Sequence, residues 1–332
     1  MIDIRARLAA LAIIAALFAL PVVALLWMTA VPGFSHDGPL PTLTVDEARL
    51  ATRLRGHVVA IASTPHNVEH PIELERAARH IEGALAAMGY AVRRQSFSAG
   101  GERVRDIEVV VDPARPDAET LVIGAHYDSA YEAPGANDNA TGTAAVIELA
   151  RTVADLRGKA ALRLRLVLFV NEEPPWFQTP LMGSVVYAAQ LRRSGEPVLG
   201  MMSLETIGYY SDRPHSQHYP WPLALLYPDT GNFVAFVGTT GSRGFVRRTV
   251  GSFRSVARFP SVGGTAPGLV QGVDWSDHWA FAGEGMPALM VTDTAPFRYP
   301  HYHSLADTPD KIDYDRLARV VAGLDRTIRV MR

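Results

Sequence analysis

Unbroken apolar runs alternate with helical patterns along most of this chain, and this alternation restricts its fold more than any other feature of the sequence. Strands covered on both faces appear as continuous apolar runs, and strands that alternate with helices assemble into a doubly wound sheet. The sequence therefore predicts an α/β fold with a mostly parallel central sheet and helices on both faces. The predicted strands are residues 107–111, 121–125, 164–170, 199–204, 233–237 and 287–292. The predicted helices among them are residues 140–156, 183–193, 242–257 and 314–331.

The N-terminal segment is apolar over 24 consecutive residues, 8–31, without a charged side chain. At about 1.5 Å per residue, a helix of that length crosses the roughly 30 Å hydrocarbon core of a bilayer. Arg5 and Arg7 precede the segment, which predicts a cytoplasmic N-terminus. We therefore expect residues 1–31 to form a single-pass signal-anchor in a bacterial inner membrane, with the rest of the chain on the periplasmic or extracellular side. The alternative is a cleaved signal peptide and a secreted protein.

Composition narrows the class of the remaining chain. Residues 32–43 are rich in proline and glycine and predict a linker, so that residues 44–332 form the folded domain. Hydrophobic residues make up 48% of the chain and charged residues 20%, which is typical of a packed globular protein. The net charge of −2 differs from the strongly positive charge that is typical of a nucleic-acid-binding protein. The sequence contains no cysteine, so any metal site must use His, Asp and Glu. The oligomeric state stays open.

Acidic and imidazole side chains follow the predicted strands at the points where the strands end. His126 comes directly after the strand at 121–125, and Glu205 directly after the strand at 199–204. Open α/β sheets bind their ligands at the carboxyl ends of the strands. We therefore expect these side chains to meet at one edge of the sheet. The residues in such positions are His126, Asp138, Glu172, Glu173, Glu205 and His303.

These residue types suit a hydrolytic zinc site. Neutral imidazole and carboxylate are zinc ligands, and a catalytic site keeps one coordination position open for water. Asp128 lies two residues after His126, where a carboxylate is placed to orient the imidazole. Of the adjacent Glu172 and Glu173, one is suited to bind metal and the other to take a proton from water.

Four motifs resemble those of the co-catalytic zinc peptidases. They are GAHYDS, GANDNATG, NEE and YHSLADTPDKID, and they occur in the right order at predicted strand ends. That family includes secreted bacterial leucine aminopeptidases, glutamate carboxypeptidase II and the glutaminyl cyclases. The resemblance covers residues 45–331 and implies a zinc-aminopeptidase-like fold. It also implies two zinc ions per chain, with a single ion as the alternative.

The resemblance further implies a role for each matched residue. Asp138 bridges the two zinc ions, and the peptide that follows it is often cis in the family. His126 binds one zinc and His303 the other. Glu173 is a carboxylate ligand, and Glu172 is the general base beside it.

Two positions are less well defined by the resemblance. Glu205 stands where the family commonly has an aspartate ligand. Its longer side chain leaves two interpretations open, namely a metal ligand and a hydrogen-bond partner of another ligand. Asp277 and His278 resemble a family element near the substrate, although a hydrogen-bonded pair within a loop is an equal interpretation.

The predicted function is metal-dependent peptide hydrolysis, with an aminopeptidase that acts on peptides with a free N-terminus as the leading hypothesis. It uses a zinc-bound hydroxide as nucleophile and a glutamate general base. The alternatives are a single-zinc acyltransferase similar to glutaminyl cyclases and a catalytically silent ectodomain that keeps the peptidase fold.

Overall fold

A central eight-stranded sheet carries the fold in the computed structural model, which describes residues 4–331. The strands are β1 Arg93–Ala99, β2 Glu102–Val111, β3 Thr120–His126, β4 Arg163–Phe169, β5 Val198–Glu205, β6 Val234–Thr239, β7 Ser261–Ala266 and β8 Ala288–Thr292. The α-helices are α1 Ile4–Thr29, α2 Val45–Ile61, α3 Pro71–Ala87, α4 Thr141–Thr152, α5 Gly183–Ser194, α6 Arg243–Val256, α7 His278–Gly283 and α8 Tyr314–Val330.

The order of the strands is β1-β2-β4-β3-β5-β8-β6-β7. The central strands β4, β3, β5 and β8 are parallel to their neighbours in this group. β1 and β2 form an antiparallel edge, and β6 runs antiparallel to β8 while β7 runs parallel to β6. The prediction of a mostly parallel sheet is therefore confirmed, and all six predicted strands are present.

Two edge strands, β1 and β7, were not predicted from the sequence. β1 has the sequence RRQSFSA, and its first two side chains are exposed. β7 has the sequence SVGGTA, whose two glycines interrupt any apolar run. Edge strands are covered less than central ones, so their sequences lack the continuous apolar pattern that identifies β3 or β4.

Helices cover both faces of the sheet, as predicted. One face packs against α2, α3, α4, α6 and α8, and the other packs against α5 and α7. α4 packs closely against β5 at Gly142. A Cβ atom at this position would come within 2.1 Å of the carbonyl oxygen of Leu204. This contact fixes the start of α4 beside the carboxyl end of β5.

The first helix lies outside these two layers. Among the residues that the structure describes, no helix combines the length and the apolarity that crossing a membrane requires. The described helices therefore do not support the membrane span that was predicted for residues 8–31. α1 ends at Thr29, and its last turn is held by the domain, since the Trp27 carbonyl accepts a hydrogen bond from Arg243 at 2.8 Å.

Residues 32–43, which were predicted to be a linker, contain no helix or strand and lie against the domain. The Ser35 hydroxyl accepts a hydrogen bond from the amide of Ser261 at 2.8 Å, and Arg254 donates to the carbonyl of Gly33 at 2.9 Å. α2 then begins with a capping box formed by Thr44 and Glu47.

Candidate metal centre

Three adjacent parallel strands bring their carboxyl ends to one edge of the sheet. β3 ends at His126 and β5 ends at Glu205, while β4 leads into the turn that holds Glu172 and Glu173. Because strands pair in register, the polar side chains that follow them lie side by side. The turn before α4 adds Asp138 from above this edge.

The carboxylate of Asp138 lies between two imidazoles. Its Oδ1 is 3.3 Å from Nε2 of His126, and its Oδ2 is 3.0 Å from Nε2 of His303. Each oxygen of one carboxylate thus faces a different ring. A carboxylate in this position could provide one oxygen to each of two cations.

A glutamate completes the group of ligands on each side of Asp138. Oε2 of Glu205 is 3.4 Å from Nε2 of His126, and Oε2 of Glu173 is 3.3 Å from Nε2 of His303. The potential ligand atoms within each group lie within 4.8 Å of one another. The structure therefore brings together all five residues that the sequence analysis assigned to metal binding.

Glu172 projects into the same cleft. Its Oε2 is 3.8 Å from Nε2 of His126, and it lines the cleft together with Asp138 and Glu173. It also forms a possible ligand group with His126 and Glu173. The two groups that contain Asp138 do not include Glu172, so its carboxylate lies beside them.

Asp128 joins the ends of two strands. Its Oδ1 accepts a hydrogen bond from the amide of Glu172 at 3.2 Å, and its Oδ2 accepts one from the amide of Glu173 at 3.1 Å. Its backbone carbonyl accepts a hydrogen bond from Nδ1 of His126 at 3.0 Å. This bond fixes the ring so that Nε2 faces the carboxylates. The sequence predicted that the carboxylate of Asp128 orients His126, but the backbone carbonyl makes this hydrogen bond, and Oδ1 of Asp128 lies 3.6 Å from Nδ1 of His126. The contact of the carboxylate with the amides of the two glutamates was not predicted.

Further residues that hold the Asp138 turn were also missed. The two oxygens of Asp307 accept hydrogen bonds from the amides of Asn137 and Asp138 at 2.8 and 3.1 Å. The side chain of Asn139 donates to the carbonyl of Leu204 at 2.8 Å. The peptide between Asp138 and Asn139 is cis, as the family resemblance implied. In the sequence, the asparagines on both sides of Asp138 indicated that this turn is held by hydrogen bonds.

The segment before α7 holds Glu205 by a serine. The Ser276 hydroxyl is 2.8 Å from Oε2 of Glu205 and 2.7 Å from the hydroxyl of Ser203. The neighbouring Asp277 and His278 are fully buried. Neither lines the cleft, so the structure does not place these two residues where the predicted substrate contact requires them.

The protonation of the imidazoles reflects the surrounding negative charge. Burial alone would lower the pKa of His126, but nearby carboxylates, above all Glu205, raise it well above its usual range. The pKa of His303 is raised to about 11, because hydrogen bonds to Asp138 and Glu173 outweigh the effect of burial. The cleft therefore favours positive charge at the positions of both rings.

The pKa values of the neighbouring carboxylates are also shifted. Burial raises the pKa of Glu173 and of Glu205 to about 7. Burial would also raise the pKa of Asp138, but the nearby imidazoles of His126 and His303 lower it. Removing several carboxylates from water is costly unless cations compensate them.

Two buried atoms at the centre lack hydrogen-bond partners among the residues that the structure describes. They are Nε2 of His126 and Oε1 of Glu173. Buried polar atoms are nearly always paired, and Nε2 of His126 faces the carboxylates of Asp138 and Glu205. Imidazole nitrogen and carboxylate oxygen are the ligands that zinc prefers when thiolates are absent. The residues present therefore fit a divalent cation.

The comparisons with known proteins agree with this geometry. Residues 107–325 match the profile described as peptidase family M28. The chain belongs to peptidase family M28. The matched range begins in β2, ends in α8 and includes every residue of the metal centre. The resemblance drawn from the four motifs is thereby confirmed.

Two protein relatives illustrate the range of similarity of the M28 chain. It is 38% identical over 269 residues to the uncharacterized protein YfbL of Escherichia coli strain K12, and the match covers 78% of this chain and 81% of YfbL. It is 27% identical over 225 residues to the probable leucine aminopeptidase 1 of Trichophyton verrucosum. That match covers 62% of this chain and 53% of the fungal protein.

Solved structures share the fold of the M28 chain at low sequence identity. An aminopeptidase from Aneurinibacillus sp. strain AM-1 is 18% identical with a TM-score of 0.61, covering 85% of this chain and 95% of that one. The glutaminyl cyclase of Fimbriiglobus ruber is 19% identical with a TM-score of 0.63, covering 91% and 100%. These matches establish the common fold and do not separate the two activities.

Proposed function

We propose that this M28 chain is a zinc-dependent aminopeptidase. The observation that carries the proposal is the carboxylate of Asp138, whose two oxygens face His126 and His303 separately. A fungal relative that is named a leucine aminopeptidase supports the choice of reaction. The acidic cleft supports the choice of substrate, because its carboxylates attract the ammonium group of a free N-terminus.

Two zinc ions fit the ligands in this proposal. His126 and Glu205 would hold one ion, His303 and Glu173 would hold the other, and Asp138 would bridge them. A divalent cation in this position polarises the scissile carbonyl and lowers the pKa of a water molecule. The protein contributes the fixed positions of these side chains, which Asp128 and Asp307 maintain through hydrogen bonds.

Glu172 is the proposed general base and acid. Its carboxylate is buried beside His126, and burial raises its pKa well above the usual value of a glutamate. A carboxylate in such surroundings holds a proton more strongly than one in water. It accepts a proton from the attacking water and passes it to the nitrogen of the leaving peptide.

The direct test combines metal analysis with substitution of the base. We expect the purified protein to contain zinc and to release p-nitroaniline from an aminoacyl p-nitroanilide. Glu172→Gln should lower kcat roughly 10²- to 10⁴-fold, whereas the exposed control Glu119→Gln should retain full activity. Unchanged turnover in a folded Glu172→Gln variant with its zinc in place would remove the proposed role.

Cyclisation of an N-terminal glutamine is the second candidate, because glutaminyl cyclases are among the structures that share the fold. The alternative is measured with a glutaminyl peptide, whose cyclisation releases ammonia. Hydrolysis of aminoacyl substrates without ammonia release would support the aminopeptidase. The opposite result would favour the cyclase, and the absence of both activities would favour the catalytically silent ectodomain.

We also propose that the catalytic domain lies on the periplasmic or extracellular side of a bacterial inner membrane. The uncharged run at 8–31 after Arg5 and Arg7 supports this location. Exposed apolar side chains of α1, such as Leu17 at 66% and Phe18 at 75%, support contact with lipid. Protease added to intact spheroplasts should digest the domain if it is anchored there, and a secreted domain would appear in the periplasm or medium. Recovery of intact protein from the cytoplasm would contradict the proposal.

A further inference from the structure

Arginines without a carboxylate partner collect around α6. On the β1 side of the sheet, Arg94, Arg105 and Arg165 pair with glutamates. Six arginines of α6, the segment after it and α8 form no ion pair with a carboxylate in the part of the chain that the structure describes. We call these six residues the basic surface, and they are Arg243, Arg247, Arg254, Arg258, Arg319 and Arg326.

The three arginines of α6 follow the chain as it leaves α1. With 3.6 residues per turn, Arg243, Arg247 and Arg254 lie on one face of the helix. Arg243 donates to the carbonyl of Trp27 at 2.8 Å, and its guanidinium group lies 4.0 Å from the centre of that ring. Arg247 and Arg254 donate to carbonyls within residues 30–33. Carbonyl groups are neutral, so these bonds leave the positive charge uncompensated.

The other three arginines line a surface pocket of about 800 Å³ between the linker and the end of α6. Arg319 donates to a backbone carbonyl of the linker, and Arg326 donates to one of α6. Arg258 is exposed. Glu47 also lines the pocket, but its carboxylate is held in the capping box of α2. Three positive charges therefore face one negative charge at this place.

The end of α1 lies against β7, between α6 and an apolar loop. A Cβ atom at Gly263 would meet the side chain of Val250 on α6. Successive residues of a strand face opposite sides of the sheet, and a Cβ atom at Gly264 would instead meet the hydroxyl of Tyr227 and lie 3.4 Å from Cα of Thr29. The loop between β5 and β6, which holds Tyr227, therefore covers the face opposite α6.

The exposed side chains around the end of α1 suit the surface of a bilayer. On the loop, Trp221 is 84% exposed and Leu225 is 75% exposed, and Trp27 in the last turn of α1 is 48% exposed. Tryptophan is enriched at the headgroup level of membranes, and arginine near a membrane surface attracts anionic lipids. The β7 edge of the sheet thus has apolar side chains on one side and cations on the other.

We propose that the basic surface binds the phosphate groups of anionic phospholipids and holds the β7 edge of the domain against the bilayer. The inference rests on the proposed membrane location. A guanidinium group matches the geometry of a phosphate and forms paired hydrogen bonds with it. β5, which carries Glu205 of the metal centre, lies three strand intervals from β7. At about 4.8 Å per interval, it stands roughly 14 Å from this edge.

The first experiment measures how close α6 comes to lipid headgroups. Because the chain has no cysteine, Ser255→Cys provides a single site for a fluorophore on the exposed side of α6. The full chain is reconstituted into phosphatidylcholine vesicles with or without about one third phosphatidylglycerol, and both contain a lipid with a nitroxide quencher on its headgroup. We expect at least two-fold stronger quenching with phosphatidylglycerol at low salt. The difference should vanish at about 1 M salt, where the Debye length is only about 3 Å.

Ser98→Cys places the matched control label on β1, at the opposite edge of the sheet. This label should be quenched weakly in both kinds of vesicle. Equal quenching of the α6 label with and without phosphatidylglycerol would overturn the inference and leave the membrane anchor intact. A chain that associates with neither kind of vesicle would refute the membrane location and the inference together.

The second experiment removes three positive charges from the basic surface by combining Arg258→Gln, Arg319→Gln and Arg326→Gln. Each arginine near an anionic membrane contributes about five-fold to lipid affinity. We therefore expect the stronger quenching of the α6 label in the vesicles with phosphatidylglycerol to be lost in this triple variant. Undiminished quenching in the folded variant would overturn the inference.

The matched control for this variant combines Arg79→Gln, Arg94→Gln and Arg115→Gln. It removes the same charge from exposed arginines that pair with carboxylates elsewhere, and it should keep the stronger quenching. Circular dichroism shows whether each triple variant folds. If the basic-surface variant does not fold, Arg258→Gln alone removes one exposed charge that forms no hydrogen bond with the described residues. It should reduce the effect of phosphatidylglycerol by a smaller amount, and an unchanged effect would contradict the proposal.

Discussion

At the scale of single residues, the centre depends on side chains that hold the ligands as much as on the ligands themselves. Asp128 places three neighbours at once, since its carboxylate binds the amides of Glu172 and Glu173 while its carbonyl binds His126. Such partners fix the direction of a ligand and raise its affinity for metal. Ser276 performs this task for Glu205, the residue at which this chain departs from the family pattern.

Ser276→Ala tests the support of Glu205. The substitution removes a hydrogen bond of 2.8 Å to a buried carboxylate, so we expect zinc affinity to fall roughly 10- to 100-fold. Competition with a chelator measures the affinity, and circular dichroism checks the fold. Ser276→Thr should restore affinity because it keeps the hydroxyl group. The control Ser255→Ala removes an exposed hydroxyl on α6. Wild-type zinc affinity in Ser276→Ala would show that Glu205 needs no such support.

At the scale of elements, a buried carboxylate joins three helices away from the cleft. Glu148 of α4 is fully buried, forms an ion pair with Arg53 of α2 and lies 3.2 Å from Nε2 of His57 on the same helix. His57 in turn lies 2.9 Å from His80 of α3. Burial would raise the pKa of Glu148, but hydrogen bonds from His57 and Arg53 lower it to about 2. The ionised form therefore stabilises the packing of these helices.

Glu148→Gln tests whether ionised Glu148 stabilises the fold, because this stabilisation should depend on pH. Because the folded-state pKa of Glu148 is lowered, its stabilisation is present above about pH 4.5 and is lost as the pH falls towards 2. We expect the variant to lose on the order of 2 kcal/mol of unfolding free energy at pH 7. The difference from wild type should shrink on acidification. Urea unfolding at several pH values measures it, with the exposed Glu102→Gln as control. A difference that does not change with pH would contradict this account.

At the scale of the whole molecule, the sequence predicts those features of the fold that depend on the local pattern of apolar and polar residues. Apolar runs identified the central strands, and the rule that ligands gather at strand ends placed His126 and Glu205 at one edge. The missed features depend on distant contacts. Asp307 binds the turn at Asn137 across 170 positions of the chain, and the edge strands β1 and β7 lack the apolar pattern of covered strands. Such contacts exist only after folding has brought separate segments together.

The position of Glu205 gives the molecule a property that neither neighbouring space has alone. Its side chain belongs to a group of possible metal ligands and also lines the apolar pocket between the sheet and the loops around Tyr219 and Val273. A group that fills this pocket would displace water from the carboxylate and so change its attraction for a cation. Thermodynamic reciprocity would then require a bound cation to change the affinity for that group by the same factor. Occupancy of the pocket and binding of a cation would thus be linked through one carboxylate.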